Sequence, residues 1–146
     1  MFNKETEYAL RSLVYIQFQN NHQLRPGIGE IAKEIEAPKP YTAKILQRMV
    51  RLGFVSSIKG KGGGFFFDET KPVLTLKELI VATEGGKLFD GCGFGMKKCD
   101  YNNPCPLHEQ YGPIRESINK LVSEETIQSL AKKTNQSFRN LLHNKI

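Results

Sequence analysis

The 146-residue chain has no tryptophan, only three cysteines, and no apolar run near the roughly eighteen residues of a membrane-spanning helix. Three is an odd number, and all three cysteines fall between positions 92 and 105, so a secreted disulfide framework is not expected. The N-terminal stretch MFNKETEYALRSL carries acidic residues where a signal peptide carries basic ones, and no small-residue cleavage site follows an apolar stretch. A cytoplasmic protein without membrane association is expected. No Ser-His-Asp set, paired carboxylates or phosphate-binding Gly-Lys-Ser/Thr turn is visible, so an enzyme is not expected.

Acidic residues are missing from one long stretch. Between positions 37 and 67 there is no Asp or Glu, while Lys39, Lys44, Arg48, Arg51, Lys59 and Lys61 all lie there. The net charge of the whole chain is +6 and its pI about 9.3, so this stretch holds as much positive charge as the entire surplus. A concentrated basic surface points to a polyanionic partner. At 39% hydrophobic residues the chain suffices for one domain with a core plus an appended dimerisation element.

Asn3 is placed to cap a first helix, with Glu5 and Glu7 in its opening turn and Leu10, Leu13, Val14 and Phe18 at helical spacing. Tyr8, Ala9, Tyr15 and Ile16 make that helix apolar on more than one side, which predicts a sandwiched helix, in part against a partner subunit. Ile28, Ile31, Ala32 and Ile35 give a short second helix that must stop near Ala37, ahead of Pro38. Pro40 then suits the first turn of a third helix reaching about Leu52. On that helix Tyr41, Ile45, Leu46, Met49, Val50 and Leu52 share one half of the wheel, and Ala43, Lys44, Gln47, Arg48 and Arg51 the other. Two short helices joined by a tight turn, the second packed on one face and basic on the other, form a helix-turn-helix candidate whose free face meets the DNA major groove. A strand from Phe54 to Ile58, a tip of Lys59-Gly60-Lys61-Gly62-Gly63-Gly64, and Phe65-Phe66-Phe67 then predict a hairpin with a basic, glycine-rich turn suited to phosphate or minor-groove contact. The residues expected at DNA are Lys39, Pro40, Tyr41, Thr42, Ala43, Lys44, Gln47, Arg48, Arg51, Lys59 and Lys61.

A helix over 74–84 closes at Gly85-Gly86, and a loop of about two dozen residues follows, of a length that is usually functional or disordered. It carries Cys92-x6-Cys99-x5-Cys105-x2-His108. Soft thiolates in one loop favour zinc, copper(I) or an iron-sulfur cluster over a hard cation, and Lys97 and Lys98 would help keep them ionised. Zinc sites use closer cysteine pairs, whereas a cluster tolerates longer spacings. Pro113 is expected to start a further helix, with Tyr111, Ile114, Ile118, Leu121 and Val122 forming a dimer seam or an ordinary core stripe, before Thr126 opens a last turn.

TEYALRSL at 6–13, the helix-turn-helix, GFVSSIKGKGGGFFF at 53–67, and the three cysteines with CPLH together resemble the Rrf-type family of bacterial winged-helix repressors, which includes iron-sulfur and nitric-oxide sensors. The resemblance spans about positions 2–132. It implies a mainly α fold with a small β-hairpin wing, that is, a winged helix-turn-helix DNA-binding domain plus a long dimerisation helix. It further implies a homodimer on pseudo-palindromic double-stranded DNA, acting as a repressor controlled by an iron-sulfur cluster that reports iron-sulfur, redox or nitric oxide status. Carried over by position, Cys92, Cys99 and Cys105 are cluster ligands. His108 falls at a histidine ligand of such proteins and fits a two-iron (2Fe-2S) cluster, the favoured type. Glu7 matches a carboxylate donated by the other subunit and leaves a four-iron (4Fe-4S) cluster open. The six-residue first cysteine spacing, and Lys59 where relatives often have arginine, depart from the pattern. Four segments follow: 1–84 the DNA-binding domain, 85–110 the cysteine loop, 111–132 the dimerisation region, and 133–146 a polar tail. A zinc-binding or thiol-switch repressor without iron is the alternative, and an electron-transfer protein a remote one.

Overall fold

The computed structural model describes residues 2–134. Of the polar tail read over 133–146, residues 135–146, with Leu141 and Leu142, lie outside them, and Lys133 belongs to the last helix.

Helix α1 (Lys4–Asn21) begins where Asn3 accepts a hydrogen bond from the Thr6 amide at 2.9 Å. Helix α2 (Ile28–Glu34) and helix α3 (Lys39–Arg51) are separated by the Pro38 turn, with Pro40 in the first turn of α3. Strands β1 (Ser56–Ile58) and β2 (Gly64–Phe66) pair antiparallel, Ser57 opposite Phe65. This is the expected winged helix-turn-helix, mainly helical with one hairpin. The wing is tied to α1 and its exit loop: Asn20 donates to the carbonyls of Leu24 and Phe65 and accepts from the Phe67 amide, and the Phe65 amide donates to Pro26. Gly64 fits that junction because its φ is +138° and a Cβ there would meet the Arg25 carbonyl at 2.3 Å.

Helix α4 (Leu76–Glu84) opens with a capping box between Thr75 and Glu78. Helix α5 (Lys87–Asp90), helix α6 (His108–Glu124) and helix α7 (Ile127–Lys133) follow. α6 starts five residues ahead of the expected Pro113. That proline is tolerated inside the helix because, so near the N-terminus, it removes a single ladder bond.

The main core joins Leu13 and Ile16 of α1, Ile31 of α2, Ile45, Leu46 and Met49 of α3, and Ile127 and Ala131 of α7. The second apolar side of α1, expected against a partner subunit, is therefore covered within the chain, by α7. The main chain fixes this closure through hydrogen bonds from Leu76 N to Glu125 O and from Ile127 N to Leu74 O, both 2.9 Å. Although 1–84 and 111–132 read as separate segments, the core of the first is completed by α7. A smaller cluster of Leu76, Ile80, Phe89 and Val122 joins α4, α5 and α6, with Ile118 packed against it. Among the described residues no helix is long and apolar enough to cross a membrane.

Candidate nucleic-acid interface and cysteine pocket

On α3, Thr42, Ile45, Leu46 and Met49 recur at helical spacing and are buried, which fixes the helix and leaves Lys44, Gln47 and Arg51 exposed. Lys39, Gln47, Arg51, Ser57 and Lys59 line one open groove of about 680 Å³ between α3 and the wing. Lys61 stands exposed at the tip, and Pro40 is exposed at the start of α3. Tyr41 is 37% exposed and meets the Tyr8 ring edge-on, centroids 5.5 Å apart. Ala43 is half-buried.

Two residues of the expected DNA set are engaged elsewhere. Thr42 is fully buried and its hydroxyl donates to the Pro38 carbonyl at 3.0 Å, so it serves the helix and not a groove. Arg48 forms an ion pair with Glu5 of α1 and donates to the Ala82 carbonyl of α4 at 2.6 Å. It clamps the recognition helix to two neighbours, and a sequence cannot show that those acceptors meet there. Conversely, Arg25 lies outside the basic stretch yet stacks on the wing residue Phe66, 4.3 Å from its ring centroid.

The loop from α5 to α6 encloses an open pocket of about 670 Å³ lined by Cys92, Cys99, Cys105 and His108. The four donors stand as two pairs. Cys92 Sγ lies 3.5 Å from Cys105 Sγ, and Cys99 Sγ lies 3.6 Å from His108 Nδ1. Tyr101 holds the His108 ring edge-on at 4.5 Å between centroids. The cysteines are half-buried and free. The Cys92 thiol is held below its ordinary range, chiefly by the amides of Met96 and Phe94, with smaller help from Cys105 and the Gly95 amide, against an opposing effect of burial. Lys97 and Lys98, expected to help keep the thiols ionised, are exposed residues of the same pocket lining. The signal that sequence reasoning missed is the Gly93-Phe94-Gly95 turn, in which Gly95 takes φ +87°. Gly93 lies flat against Tyr111 of α6, where a Cβ would come within 2.6 Å of the ring. Glu7 sits in the first turn of α1, 3.5 Å from Lys4.

Helix α6 presents two stripes in place of the single expected seam. Tyr111, Arg115, Ile118 and Val122 face the chain's own core and pocket, whereas Ile114 and Leu121 are 57% and 51% exposed. Arg115, which no sequence motif singles out, is only 4% exposed and its Nη1 donates to the Gly91 carbonyl at 3.1 Å. Its basicity is raised foremost by hydrogen bonding to Cys99.

The sequence profile of the Rrf2 family, described as iron-dependent transcriptional regulators, matches residues 2–133. Over 118 residues, 81% of this chain and 78% of the relative, the sequence is 28% identical to the HTH-type transcriptional regulator NsrR of Bacillus licheniformis. The fold is similar to that of CymR, the global cysteine regulator of B. subtilis, with TM-score 0.73 and 18% identity over 92% of this chain and 98% of that one. It is also similar to that of IscR of T. potens, with TM-score 0.67 and 14% identity over 92% and 88%. With a winged helix-turn-helix, a basic groove and a profile match over almost its whole length, the chain belongs to the Rrf2 family and is a transcriptional regulator, not an enzyme.

Proposed function

We propose that this regulator is a homodimeric repressor on pseudo-palindromic DNA, and that its operator affinity is set by an iron-sulfur cluster held by Cys92, Cys99, Cys105 and His108. The observation that carries the reading is the pairing of these donors in one pocket, at 3.5 and 3.6 Å. Two ligands of one tetrahedral metal, at bond lengths of about 2.0 to 2.3 Å, stand roughly 3.5 to 3.8 Å apart. Each pair therefore has the separation expected of two ligands on one metal. Two pairs suit a two-iron cluster better than one zinc ion. Three thiols and an imidazole are also the soft donor set that iron-sulfur chemistry uses.

When bound, the cluster supplies an oxidisable and ligand-exchanging centre whose gain or loss reports cellular chemistry. The chain's own residues do the rest. The thiols order the loop between α5 and α6, and α6 offers Ile114 and Leu121 as the seam for a second copy. The recognition helices of the two copies would then meet half-sites about 34 to 36 Å apart. Glu7 of a second copy is the competing fourth ligand.

A thiol switch without iron draws support from one approach, that of the Cys92 and Cys105 sulfurs, since a peroxide accepting two electrons and two protons from them would leave a disulfide.

Anaerobic purification with iron, sulfide and zinc analysis separates the readings: brown protein with iron and sulfide is expected, and colourless protein, with or without zinc, would favour the alternative. Cys105→Ala should lose the visible absorption and remain folded. Loaded and metal-free wild type should differ in affinity, or in site preference, for duplexes selected from a random pool at fixed salt. Equal binding in both respects would reduce the pocket to a structural site.

A further inference from the structure

A guanidinium keeps its proton at any pH a protein tolerates, so burying one requires acceptors or an anion nearby. Arg115 occupies a position on α6 that its helical register assigns to the core, in line with Ile118 and Val122. Its surroundings leave the charge poorly answered. A carboxylate oxygen of Glu116 lies 3.8 Å from Nε but belongs to a side chain 60% exposed. Nε itself is buried with no hydrogen-bond acceptor among the described residues. What the guanidinium does reach is the cysteine loop, where Nη1 donates to the Gly91 carbonyl beside Cys92.

We infer that Arg115 is the positioning residue of the cysteine pocket: it fastens the loop to α6 at Gly91, beside Cys92, and its buried charge supplies a fixed positive floor that selects an anionic bound group above it. The fastening stands on the metal-free fold. The charge selection rests on the cluster reading. A buried guanidinium with one N–H left unpaired favours an anionic group bound above it over a neutral one. A lysine would keep the charge without the planar guanidinium that reaches the Gly91 carbonyl.

The test compares wild type with Arg115→Lys, Arg115→Gln and Arg115→Met. In metal-free protein, amide hydrogen exchange across 91–99 should be about tenfold faster in Arg115→Met, as for a lost hydrogen bond to a charged group, with α1 and α3 still protected. Arg115→Lys should recover part of that protection. After anaerobic reconstitution the reduction potential should be more negative in Arg115→Gln and Arg115→Met than in wild type, because a buried positive charge favours the more negative reduced state. Arg115→Lys should lie close to wild type. Unchanged exchange and potential in all variants would overturn the inference. If wild type takes up no cluster, the cluster reading and the charge selection fall together, and the exchange comparison still decides the fastening. If Arg115→Met loses protection in α1 and α3, Arg115→Gln against Arg115→Lys decides: Gln behaving as wild type would show that the charge is dispensable.

Discussion

The basic surface of α3 and the wing and the cysteine pocket are both built from exposed or half-exposed side chains, but their backbones are held in opposite ways. Lys44, Gln47 and Arg51 stand on a helix anchored on its other side by the buried Thr42, Ile45, Leu46 and Met49. The wing beside it is stitched to α1 by Asn20 at two points. The segment from Cys92 to Leu107 has no such foundation: its large apolar side chains Phe94, Met96 and Tyr101 are 56%, 58% and 70% exposed and belong to neither core. Isolated turns such as Gly95 N to Cys92 O and His108 N to Cys105 O hold it, together with Arg115 beneath. On the function proposed here, the α3 and wing surface is packed before DNA arrives, whereas the thiol pocket would leave part of its order for a bound group to supply. A sensor needs that asymmetry, since a segment already fully ordered has nothing for a ligand to change.

The contrast is broken or sharpened most strongly by stability. Leu46→Ala, at a fully buried position, should cost about 2 to 5 kcal/mol in urea unfolding. Met96→Ala should stay within about 0.5 kcal/mol; a large loss there would make the loop part of the core. Next in size, Lys44→Ala or Gln47→Ala should lower discrimination between selected and random duplexes by about 1 to 3 kcal/mol, measured by competition. Thr42→Val should leave discrimination unchanged, because that hydroxyl is occupied by Pro38. A smaller effect is expected at the wing, where Lys59→Ala or Lys61→Ala should reduce the slope of log affinity against log salt by about 0.9 for each phosphate left without its lysine. An unchanged slope would remove the wing from the interface.

The smallest effect concerns the seam that closes the core. The Glu125 carboxyl is held below its usual range first by Lys133 and then by Ser129. A depressed folded value means that its contribution is present above the ordinary glutamate value of about 4.3 and is lost as pH falls through the lower folded value. Glu125→Gln should therefore lower the melting temperature slightly at neutral pH, and the difference should vanish in strong acid. A difference that persisted there would assign the effect to something other than the ion pair.

Much of this architecture is legible in the sequence because local chemistry agrees with it: Asn3, Pro38, Gly53 and Thr126 punctuate the helices, and Thr42 shares the buried period of Ile45 and Met49. A wheel read strictly withdraws Thr42 from the DNA set. Arg115 is similarly detectable, as a charge in register with Ile118 and Val122. Other features depend on distant partners. Nothing local to Arg48 reveals that Glu5 and the Ala82 carbonyl await it, and nothing in α1 reveals that α7 covers its second side. Pro113 misleads because proline favours the opening turn of a helix and is tolerated slightly later at small cost. In the pocket, the donors are visible from residue type, but their pairing and the amides that lower the Cys92 thiol depend on turn geometry.

The placement of α7 has a consequence for how the protein is made. One side of α1, made before every other described helix, is covered by Ile127 and Ala131, among the last described residues to be synthesised. Until they appear, the nascent DNA-binding half carries an uncovered apolar face, and its slowest contacts are those of greatest separation along the chain. Messages cut short after α4 would thus yield a product with the reading surface complete in sequence but without its keystone, one that quality-control proteases should clear before it could occupy an operator.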